Sequence, residues 1–408
     1  MLVMALVYIS IEAKQQGDFS IFWQASRDYF DGQNIYTLTY HEWYHYYYSQ
    51  FFAILIYPLA MFPLYAATWI WLALNLFFLW RIFIITMRRL GVDKWNSRSR
   101  FIFLSLIFII NLRFIRDNFH LGQMTVFMLY CMLESLSLIY FQRYLKGAML
   151  LALGINIKLL PLVFIPYLIF RGYFLAVCYT CFALLAYFVI PLTAVEYNQY
   201  VLLMHDWWQL INPTQTKHTI DTDERSFHGL SALIPTLCME TVPDTHALPL
   251  RRNLTNLSVE KVFWLLNLIR LVLVSCILIV TRLKFFKPEN NKLKRWKETA
   301  FIMLIIPLIF PHQQHYAFLL TMPAVSWILY LIMRHGIKIY QWQFYLLIIV
   351  YLCFNLNLIA GSFNEYFDHY KIVTYGALLL VVGLIFTQQM SKNLSTNSDN
   401  KDKHSWHR

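Results

Sequence analysis

Long apolar runs alternate with short polar segments along nearly the whole chain. A helix needs about 20 consecutive apolar residues to cross the hydrocarbon core of a bilayer. Runs near this length predict spans at 66–86, 121–141, 173–195, 261–281, 315–333, 341–360 and 371–390. Shorter or proline-interrupted runs lie at 49–63, 101–112, 147–170 and 298–311. The pattern predicts an all-α polytopic membrane protein, with about 11–12 membrane helices when the shorter runs are included.

Prolines interrupt the run 49–63, which directly precedes the span 66–86. Pro58 and Pro63 both fall near the end of this run. Proline breaks a helix, and broken helices at membrane depth usually line a cavity enclosed by protein. We therefore predict that one segment within 49–86 is partial or re-entrant.

A lysine and a proline interrupt the run 147–170 at Lys158-Leu159-Leu160-Pro161. Arg143 and Arg171 flank the run on its two sides. Basic residues are enriched in cytoplasmic segments, so both ends are predicted to face the cytoplasm. The chain should then rise to about Lys158 and return, which puts the Lys158 ammonium near the outer surface.

The composition excludes an ordinary soluble domain, because 59% of the residues are hydrophobic and only 14% are charged. The formal net charge of +12 does not indicate a nucleic-acid partner. Basic residues cluster between the spans, chiefly at 88–100 and 282–297, and the positive-inside rule assigns these segments to the cytoplasm. We predict one transmembrane catalytic domain over 1–390 and a disordered cytoplasmic tail at 391–408.

The two long hydrophilic loops, 18–48 and 196–260, then fall on the extracytoplasmic side. The first loop carries aromatic residues at near-helical spacing up to Gly32, which predicts a pair of interfacial helices followed by an aromatic belt. The aromatic residues before Gly32 are Phe19, Phe22, Trp23, Tyr29 and Phe30, and those of the belt are Trp43, Tyr44, Tyr46, Tyr47 and Tyr48. The active face is predicted to be this outer side.

Asp18 lies in Gly17-Asp18-Phe19, between a short apolar start and the aromatic loop. A carboxylate next to a bilayer-facing segment is costly unless it is paired or functional. A partly desolvated carboxylate has a raised pKa and can accept a hydroxyl proton, so Asp18 is a candidate general base. An ion pair with Lys14 or Arg27 is the alternative interpretation.

Basic side chains predicted on the same side point to an anionic ligand. Lys158, Arg113 and Arg116 can bind a lipid phosphate, or the arginines can simply extend towards lipid headgroups. His312 and His315 lie three residues apart at the start of an apolar run. They can bind a phosphate, shuttle a proton or ligate a metal. The sequence shows no obvious carboxylate that would serve as the third ligand of a metal.

Other polar residues on that face are candidates for binding sugar. Gln123 offers a donor and an acceptor to a sugar hydroxyl, or it caps a helix end. The segments His205-Asp206-Trp207-Trp208 and Arg225-Ser226-Phe227-His228-Gly229 pair aromatic rings with hydrogen-bonding groups. Carbohydrate sites share this mixture, and so do interfacial helices. Signatures of soluble enzymes, such as a glycine-rich phosphate loop or a serine elbow, are absent from the sequence.

These elements, in this order, resemble the polyprenol-phosphate-mannose-dependent mannosyltransferases of glycosyltransferase family 87, which have the GT-C fold. The resemblance runs from about residue 17 to about residue 330. At Glu224-Arg225-Ser226 the chain departs from the family's Asn-Gln-Ser. The residues that carry the resemblance are Gly17-Asp18-Phe19, Ala25, Asp31-Gly32-Gln33-Asn34-Ile35-Tyr36, Tyr57-Pro58-Leu59-Ala60 with Pro63, Leu121-Gly122-Gln123, Ile157-Lys158-Leu159-Leu160-Pro161 with Arg171, Ser226 with Gly229, and Pro311 with His315 and Pro323.

The resemblance implies transfer of a hexose, mannose above all, from a polyprenyl-phosphate sugar to the hydroxyl of a glycolipid or glycan acceptor, with inversion. It implies Asp18 as the general base, with Lys158, His315 and Arg113 at the donor phosphate. The implied sugar or acceptor contacts are Gln123, Tyr36, His312, Ser226, His228 and Trp207. Cationic side chains take the role of a metal in this scheme, so it needs no metal and no cofactor.

Three other functions stay open at the level of sequence. Another GT-C enzyme would transfer a different lipid-linked sugar through the same framework. A transporter or flippase for a lipid-linked sugar would also need cations, but it predicts charged residues deep in several spans and inverted repeats. A scaffolding membrane subunit predicts that Asp18 can be replaced without effect.

Overall fold

The computed structural model describes residues 2–15, 17–41, 44–212, 220, 226–240, 248, 250–282 and 284–387. Helices dominate these residues. In chain order they are α1 Leu2–Glu12, α2 Phe19–Phe30, α3 Gln50–Ala60, α4 Leu64–Leu90, α5 Ser97–Ile110, α6 Leu112–Leu121, α7 Thr125–Tyr140, α8 Tyr144–Ile157, α9 Phe164–Phe170, α10 Phe174–Val189, α11 Tyr197–Ile211, α12 Leu230–Cys238, α13 Val259–Thr281, α14 Lys292–Ile309, α15 Met322–His335, α16 Gln341–Asn355, α17 Asn364–His369 and α18 Ile372–Thr387.

Short 3-10 helices and one two-stranded sheet complete the described elements. The sheet pairs β1, Phe227–His228, with β2, Gln313–Gln314, in antiparallel orientation. The 3-10 helices are Val92–Lys94, Leu160–Val163, Ile190–Thr193, His315–Thr321, Leu356–Leu358 and Gly361–Phe363. The chain is therefore an all-α protein, as its apolar periodicity predicted.

The chain divides into two compact units. Unit 1 comprises Met1–Arg88, Arg113–Thr219 and Phe285–Pro288, and unit 2 comprises Arg89–Leu112, Ile220–Lys284 and Glu289–Arg408. The predicted disordered tail, 391–408, lies outside the described residues.

Five helical segments among the described residues are long and apolar enough to cross a membrane. They are Leu64–Leu90, Phe174–Thr193, Val259–Thr281, His315–His335 and Gln341–Leu358. Helices α6 and α7 form a sixth candidate, although they meet at an angle of 116°. The protein is thus a polytopic membrane protein. The predicted 11–12 membrane helices require the shorter apolar helices α1, α3, α8, α9 and α18, or others like them, to be counted as well.

The run 49–63 forms α3, which ends just before Pro63. Its 11 residues rise only about 16 Å, against about 30 Å for the hydrocarbon core, so α3 is too short to cross alone. Pro58 lies inside this helix, and the break follows at Met61 to Pro63. The short α3 is consistent with the prediction that one segment within 49–86 is partial or re-entrant.

The predicted break at Lys158 is also present. Helix α8 ends at Ile157, and Lys158 adopts extended backbone angles of φ −147° and ψ 130°. A 3-10 turn containing Pro161 follows before α9 begins. The proline cannot continue the hydrogen-bond pattern of α8, which explains why the helix stops here.

Loop 18–48 differs from its prediction in its second half. The aromatic residues before Gly32 lie on α2, which buries one side against α3. Residues 31–41 and 44–49 contain no second helix, only a bridge between Tyr40 and Tyr44. Side-chain hydrogen bonds to the backbone hold this segment, and sequence periodicity does not show such bonds.

Unit 1 is built around α8, which packs between α7 and α10. Ser49, the residue that caps α3, donates a hydrogen bond of 2.7 Å to the side chain of Asn156 near the end of α8. The segment before α2 approaches the loop between α6 and α7 very closely. A Cβ on Gly17 would lie 2.7 Å from the carbonyl oxygen of Leu121, so only glycine fits there without movement.

Unit 2 is built around α14 and α15, which pack against each other. Helix α14 is buried from Trp296 to Leu308, and α15 is buried from Met322 to Ile332. Helices α5, α13 and α16 pack around this pair. Trp296 donates a hydrogen bond of 3.2 Å to Ser326, which joins the two central helices through buried polar groups.

We predict that alanine at Gly122 destabilises the protein more than alanine at Gly32. Both glycines have positive φ, +65° and +76°, so each substitution carries a strain of about 1–2 kcal/mol. At Gly122 the new Cβ would also lie 2.8 Å from Cβ of Phe19, whereas nothing lies within 4 Å at Gly32. This overpacking adds about 1–3 kcal/mol. Thermal unfolding in detergent measures the difference, and equal melting temperatures would contradict the packing argument.

Candidate functional site

Asp18 lies at the N-terminus of α2, where its backbone already has helical angles of φ −56° and ψ −19°. Its side chain is half-buried and accepts a hydrogen bond at Oδ2 from the side-chain amide of Gln123. The positive end of a helix dipole favours a carboxylate at this position. The hydrogen bond therefore fixes the orientation of the Asp18 carboxylate.

Gln123 is also held in place by its surroundings. It is buried between α6 and α7, and its backbone N–H donates to the carbonyl of Asn118 at 2.9 Å. The preceding carbonyl, of Gly122, accepts a hydrogen bond of 2.9 Å from Trp71. Phe19 stacks on the same Trp71 ring with 5.6 Å between centroids. The two motifs Gly17-Asp18-Phe19 and Leu121-Gly122-Gln123 are thus packed into one structure.

Lys158 is the cation that the fold brings to Asp18. It follows the C-terminus of α8, is half-buried, and interacts electrostatically with the Asp18 carboxylate. The sequence predicted both residues separately, as base and as phosphate ligand. Their proximity is a result of the three-dimensional structure.

Tyr48 is a residue near Asp18 that the sequence argument treated only as part of an aromatic belt. Its ring contacts Phe22 edge-on, with 4.8 Å between centroids. Burial raises the pKa of the Tyr48 hydroxyl, and the Asp18 charge raises it further. The hydroxyl therefore stays protonated and can donate a hydrogen bond at neutral pH. Asp18, Gln123, Lys158 and Tyr48 are called the Asp18 centre below.

Arg113 was predicted at the donor phosphate, and the structure shows where its charge is balanced. It lies buried on α6, with its Nε 3.7 Å from Oδ2 of Asp117. Arg116, which is exposed, lies 3.8 Å from the other oxygen of the same carboxylate. Asp117 thus neutralises part of the positive charge of Arg113 and Arg116. The phosphate role of Arg113 stays a prediction.

The motif Asp31-Gly32-Gln33-Asn34-Ile35-Tyr36 stabilises the loop that follows α2 through hydrogen bonds of its side chains. The side-chain oxygen of Asn34 accepts from the backbone N–H of Tyr36 at 3.1 Å, and its amide donates to Asp206 at 2.6 Å. Tyr36 is buried, and its hydroxyl donates to the carbonyl of Tyr48 at 3.0 Å. Tyr36 therefore anchors the backbone at Tyr48, and its predicted sugar contact stays untested.

Trp207 lies on α11 and is buried rather than displayed at the surface. Its indole N–H donates to the carbonyl of Tyr47 at 3.2 Å, and its ring packs near Phe188. The next residue, Trp208, is exposed. Trp207 thus ties α11 to the aromatic loop, and its role in binding sugar stays a prediction.

Unit 2 gathers four other predicted residues around the small sheet. Strand β1 pairs Phe227 with Gln314 and His228 with Gln313. The His312 ring contacts Phe227, with 5.4 Å between centroids, and His315 lies 6.4 Å from His228 by the same measure. Ser226 directly precedes β1 and is half-buried. Ser226 and His228 lie about 85 positions before His312 and His315 in the sequence, and strand pairing brings the two segments together.

Two features single out this histidine cluster, defined as Ser226, His228, His312 and His315. His312 has a positive φ of 54°, an uncommon backbone conformation for a residue with a side chain. His228 is completely buried, and its Nε2 lies 3.5 Å from Oδ1 of Asp368. Asp368 lies on α17 and was not a predicted site residue. Buried histidines beside a carboxylate can hold or transfer protons.

No group of three or more His, Cys, Asp or Glu side chains among the described residues has the geometry to hold a metal ion. Two residues of the predicted second-loop motif, Glu224 and Arg225, lie outside the described part of the chain. The structure therefore gathers seven of the predicted residues in two groups, three in the Asp18 centre of unit 1 and four in the histidine cluster of unit 2. Arg113, Tyr36 and Trp207 belong to neither group.

The sequence profile of glycosyltransferase family 87 matches residues 46–311, which is well over half of the chain. No curated protein matches the chain significantly.

We predict that Asn34 and Asp206 stabilise the loop as a pair. Asn34→Ala should lower the free energy of unfolding by about 1.5–3 kcal/mol, because the hydrogen bond has a charged acceptor. Asp206→Ala should cost a similar amount, and the double variant should cost little more than either single one. Gln33→Ala, at an exposed neighbour, is the matched control. Strict additivity of the two substitutions in thermal unfolding would refute the coupling.

Proposed function

The chain belongs to glycosyltransferase family 87 and is a multi-pass membrane glycosyltransferase, and on this basis we propose that it transfers mannose from a polyprenyl-phosphate donor. The acceptor is the hydroxyl of a glycolipid or glycan, and the reaction takes place at the extracytoplasmic face of the cell membrane. The observation that carries the proposal is the Asp18 centre, where a half-buried carboxylate is oriented by Gln123 beside the Lys158 cation.

Asp18 is the general base of the proposed reaction. Its carboxylate takes the proton from the acceptor hydroxyl as the hydroxyl oxygen attacks the anomeric carbon of the donor. The Gln123 amide holds one carboxylate oxygen, so the base does not have to reorient before it accepts the proton. Gln123 acts here as a positioning residue, and its contact with a sugar hydroxyl is a second, separate prediction.

Lys158 stabilises the leaving group. As the new bond to the anomeric carbon forms, the bond between that carbon and the phosphate oxygen breaks, and negative charge develops on the lipid phosphate. A preorganised ammonium in a partly desolvated site is suited to neutralise that charge. The acceptor proton stays on Asp18, and the polyprenyl phosphate leaves as an anion. A single displacement on a β-linked donor gives an α-linked product.

The remaining predicted contacts rest on the family resemblance. His315 and Arg113 would assist at the donor phosphate, and the sugar or acceptor residues would include Tyr36, Trp207 and the rest of the histidine cluster. Within that cluster His228 also has a carboxylate beside it, since its Nε2 lies 3.5 Å from Oδ1 of Asp368.

We predict that Asp18→Asn abolishes transfer while the protein stays folded. The amide keeps the shape of the side chain but cannot accept the proton, so the rate should fall by roughly 100- to 10,000-fold. Membranes carrying the wild type or the variant are given radiolabelled polyprenyl-phosphate-mannose and acceptor lipids. Glu196→Gln, which removes an exposed carboxylate from the same unit and outside the motifs, is the control and should leave transfer unchanged.

Equal transfer by the wild type and Asp18→Asn would remove Asp18 as the base. A wild type that uses another polyprenyl-phosphate sugar and not the mannose donor would correct the sugar while leaving the mechanism in place. Movement of the intact labelled donor between leaflets, without transfer of its sugar, would identify a flippase instead.

We predict that the charge at Lys158 is needed more than its shape. Lys158→Met should lower kcat by about 100- to 1,000-fold, because the leaving phosphate loses its neutralising cation. Lys158→Arg restores a positive charge and should recover part of the activity. Steady-state kinetics with purified protein separates kcat from KM. A loss of the same size in both variants would contradict an electrostatic role.

A further inference from the structure

A basic pocket lies at the end of unit 2 where α13 finishes and α14 begins. Its volume is about 350 Å³, near the lower end of the range of about 300–1,000 Å³ found for small-molecule sites. Five lysine and arginine side chains line it against two glutamates, Glu289 and Glu298. The basic residues are Arg282, Lys284, Lys294, Lys297 and Arg334. The excess of positive charge is what an anionic ligand requires.

Lys297 distinguishes this pocket from an ordinary basic surface. Its side chain lines the cavity although the residue is only 7% exposed. It forms no hydrogen bond or ion pair with any residue that the structure describes. Burial lowers the pKa of Lys297 to about 7 and the charge of Arg282 contributes in the same direction, whereas the charge of the neighbouring Glu298 raises it and offsets only part of this shift. A buried ammonium is costly unless it is paired, so a bound anion would remove this cost.

The other walls of the pocket favour a phosphate group on an amphiphile. Arg334 is held by its neighbour, since its Nη1 donates to the hydroxyl of Tyr330 at 2.9 Å. A fixed guanidinium is well suited to phosphate because it presents several donors in a planar fork. Leu293, Trp327 and Leu331 form an apolar side of the same cavity. The pocket thus combines cationic donors with apolar contacts.

This pocket is separate from the histidine cluster of the same unit. Lys297 lies in the second turn of α14, and the segment 311–315 follows the opposite end of that helix. Ile309 lies 12 positions after Lys297, which corresponds to about 18 Å of helix. The pocket therefore does not belong to the site already described, and its function does not depend on the proposed transfer reaction.

We propose that the pocket formed by Arg282, Lys297 and Arg334 binds a phosphate-bearing ligand. Two sources supply this chemistry, the headgroup of an anionic phospholipid and a free phosphorylated molecule. The lysine ammonium and the arginine guanidinium groups contact the phosphate oxygens, and the apolar side packs against the remainder of the ligand. A ligand held there would join the ends of α13, α14 and α15.

The test uses the full-length protein in a neutral detergent and in nanodiscs of phosphatidylcholine. One arm measures binding of radiolabelled pyrophosphate by equilibrium dialysis, and the other measures thermal unfolding as phosphatidylglycerol replaces part of the phosphatidylcholine. At least one arm should show saturable binding or stabilisation with the wild type. Pyrophosphate binding identifies a free ligand as the source, and a response to phosphatidylglycerol alone identifies a lipid headgroup.

Lys297→Gln should weaken the response by about tenfold or more, because a charged hydrogen bond is lost. Lys292→Gln removes the same charge from an exposed position on the same helix and outside the pocket, and should change it less than about twofold. If Lys297→Gln fails to fold, Lys297→Arg should keep the affinity and Arg282→Gln should lose it. Equal losses at positions 292 and 297, or no response to either probe, would overturn the proposal.

Discussion

The close backbone approach between Gly17 and the loop at Leu121-Gly122 determines the geometry of the Asp18 centre. A side chain at Gly17 would meet the Leu121 carbonyl, and one at Gly122 would meet Phe19. Because both positions lack a Cβ, the N-terminus of α2 can lie directly against the turn between α6 and α7. Asp18 and Gln123 are each the next residue after one of these glycines, so the contact brings the carboxylate to the amide.

The structure places charged and polar groups where an apolar framework can hold them in a fixed position. Asp18 uses a helix N-terminus and an amide donor, and Lys158 uses the non-helical backbone between α8 and the 3-10 turn. His228 relies on strand pairing and the nearby Asp368. Each group stands at a break in helical structure. Such breaks are tolerated in membrane proteins where they are enclosed by protein, and they are a common location for functional residues.

Much of the fold could be predicted from the sequence because the bilayer constrains helix length and polarity. The runs 66–86 and 261–281 became helices α4 and α13 close to their predicted bounds, and the runs 173–195, 315–333 and 341–360 each combine an α-helix, α10, α15 or α16, with a 3-10 helix. The break at Lys158 followed from Pro161, whose missing N–H is a local property. The second half of loop 18–48 was predicted incorrectly as a helix. Its conformation depends on long-range bonds such as the one from Asn34 to Asp206, which no local pattern reveals.

The candidate site was predictable as a set of residues, but its geometry was not. Asp18 and Lys158 stood out because charges beside apolar runs are costly. The role of Gln123 as the partner of Asp18, the pairing of Arg113 with Asp117, and the proximity of Tyr48 depend on packing between distant segments. Asp368 was not identified from the sequence, because an acidic residue in a short polar segment is usually solvated.

The stereochemistry of the product tests the central claim, a single displacement assisted by the Asp18 carboxylate, most directly. Purified protein would be given β-linked polyprenyl-phosphate-mannose and an acceptor, and NMR would record the anomeric configuration of the first product formed. We expect an α-linked mannoside. A β-linked product would require two successive displacements through a covalent intermediate, and it would contradict the role of Asp18 as a general base.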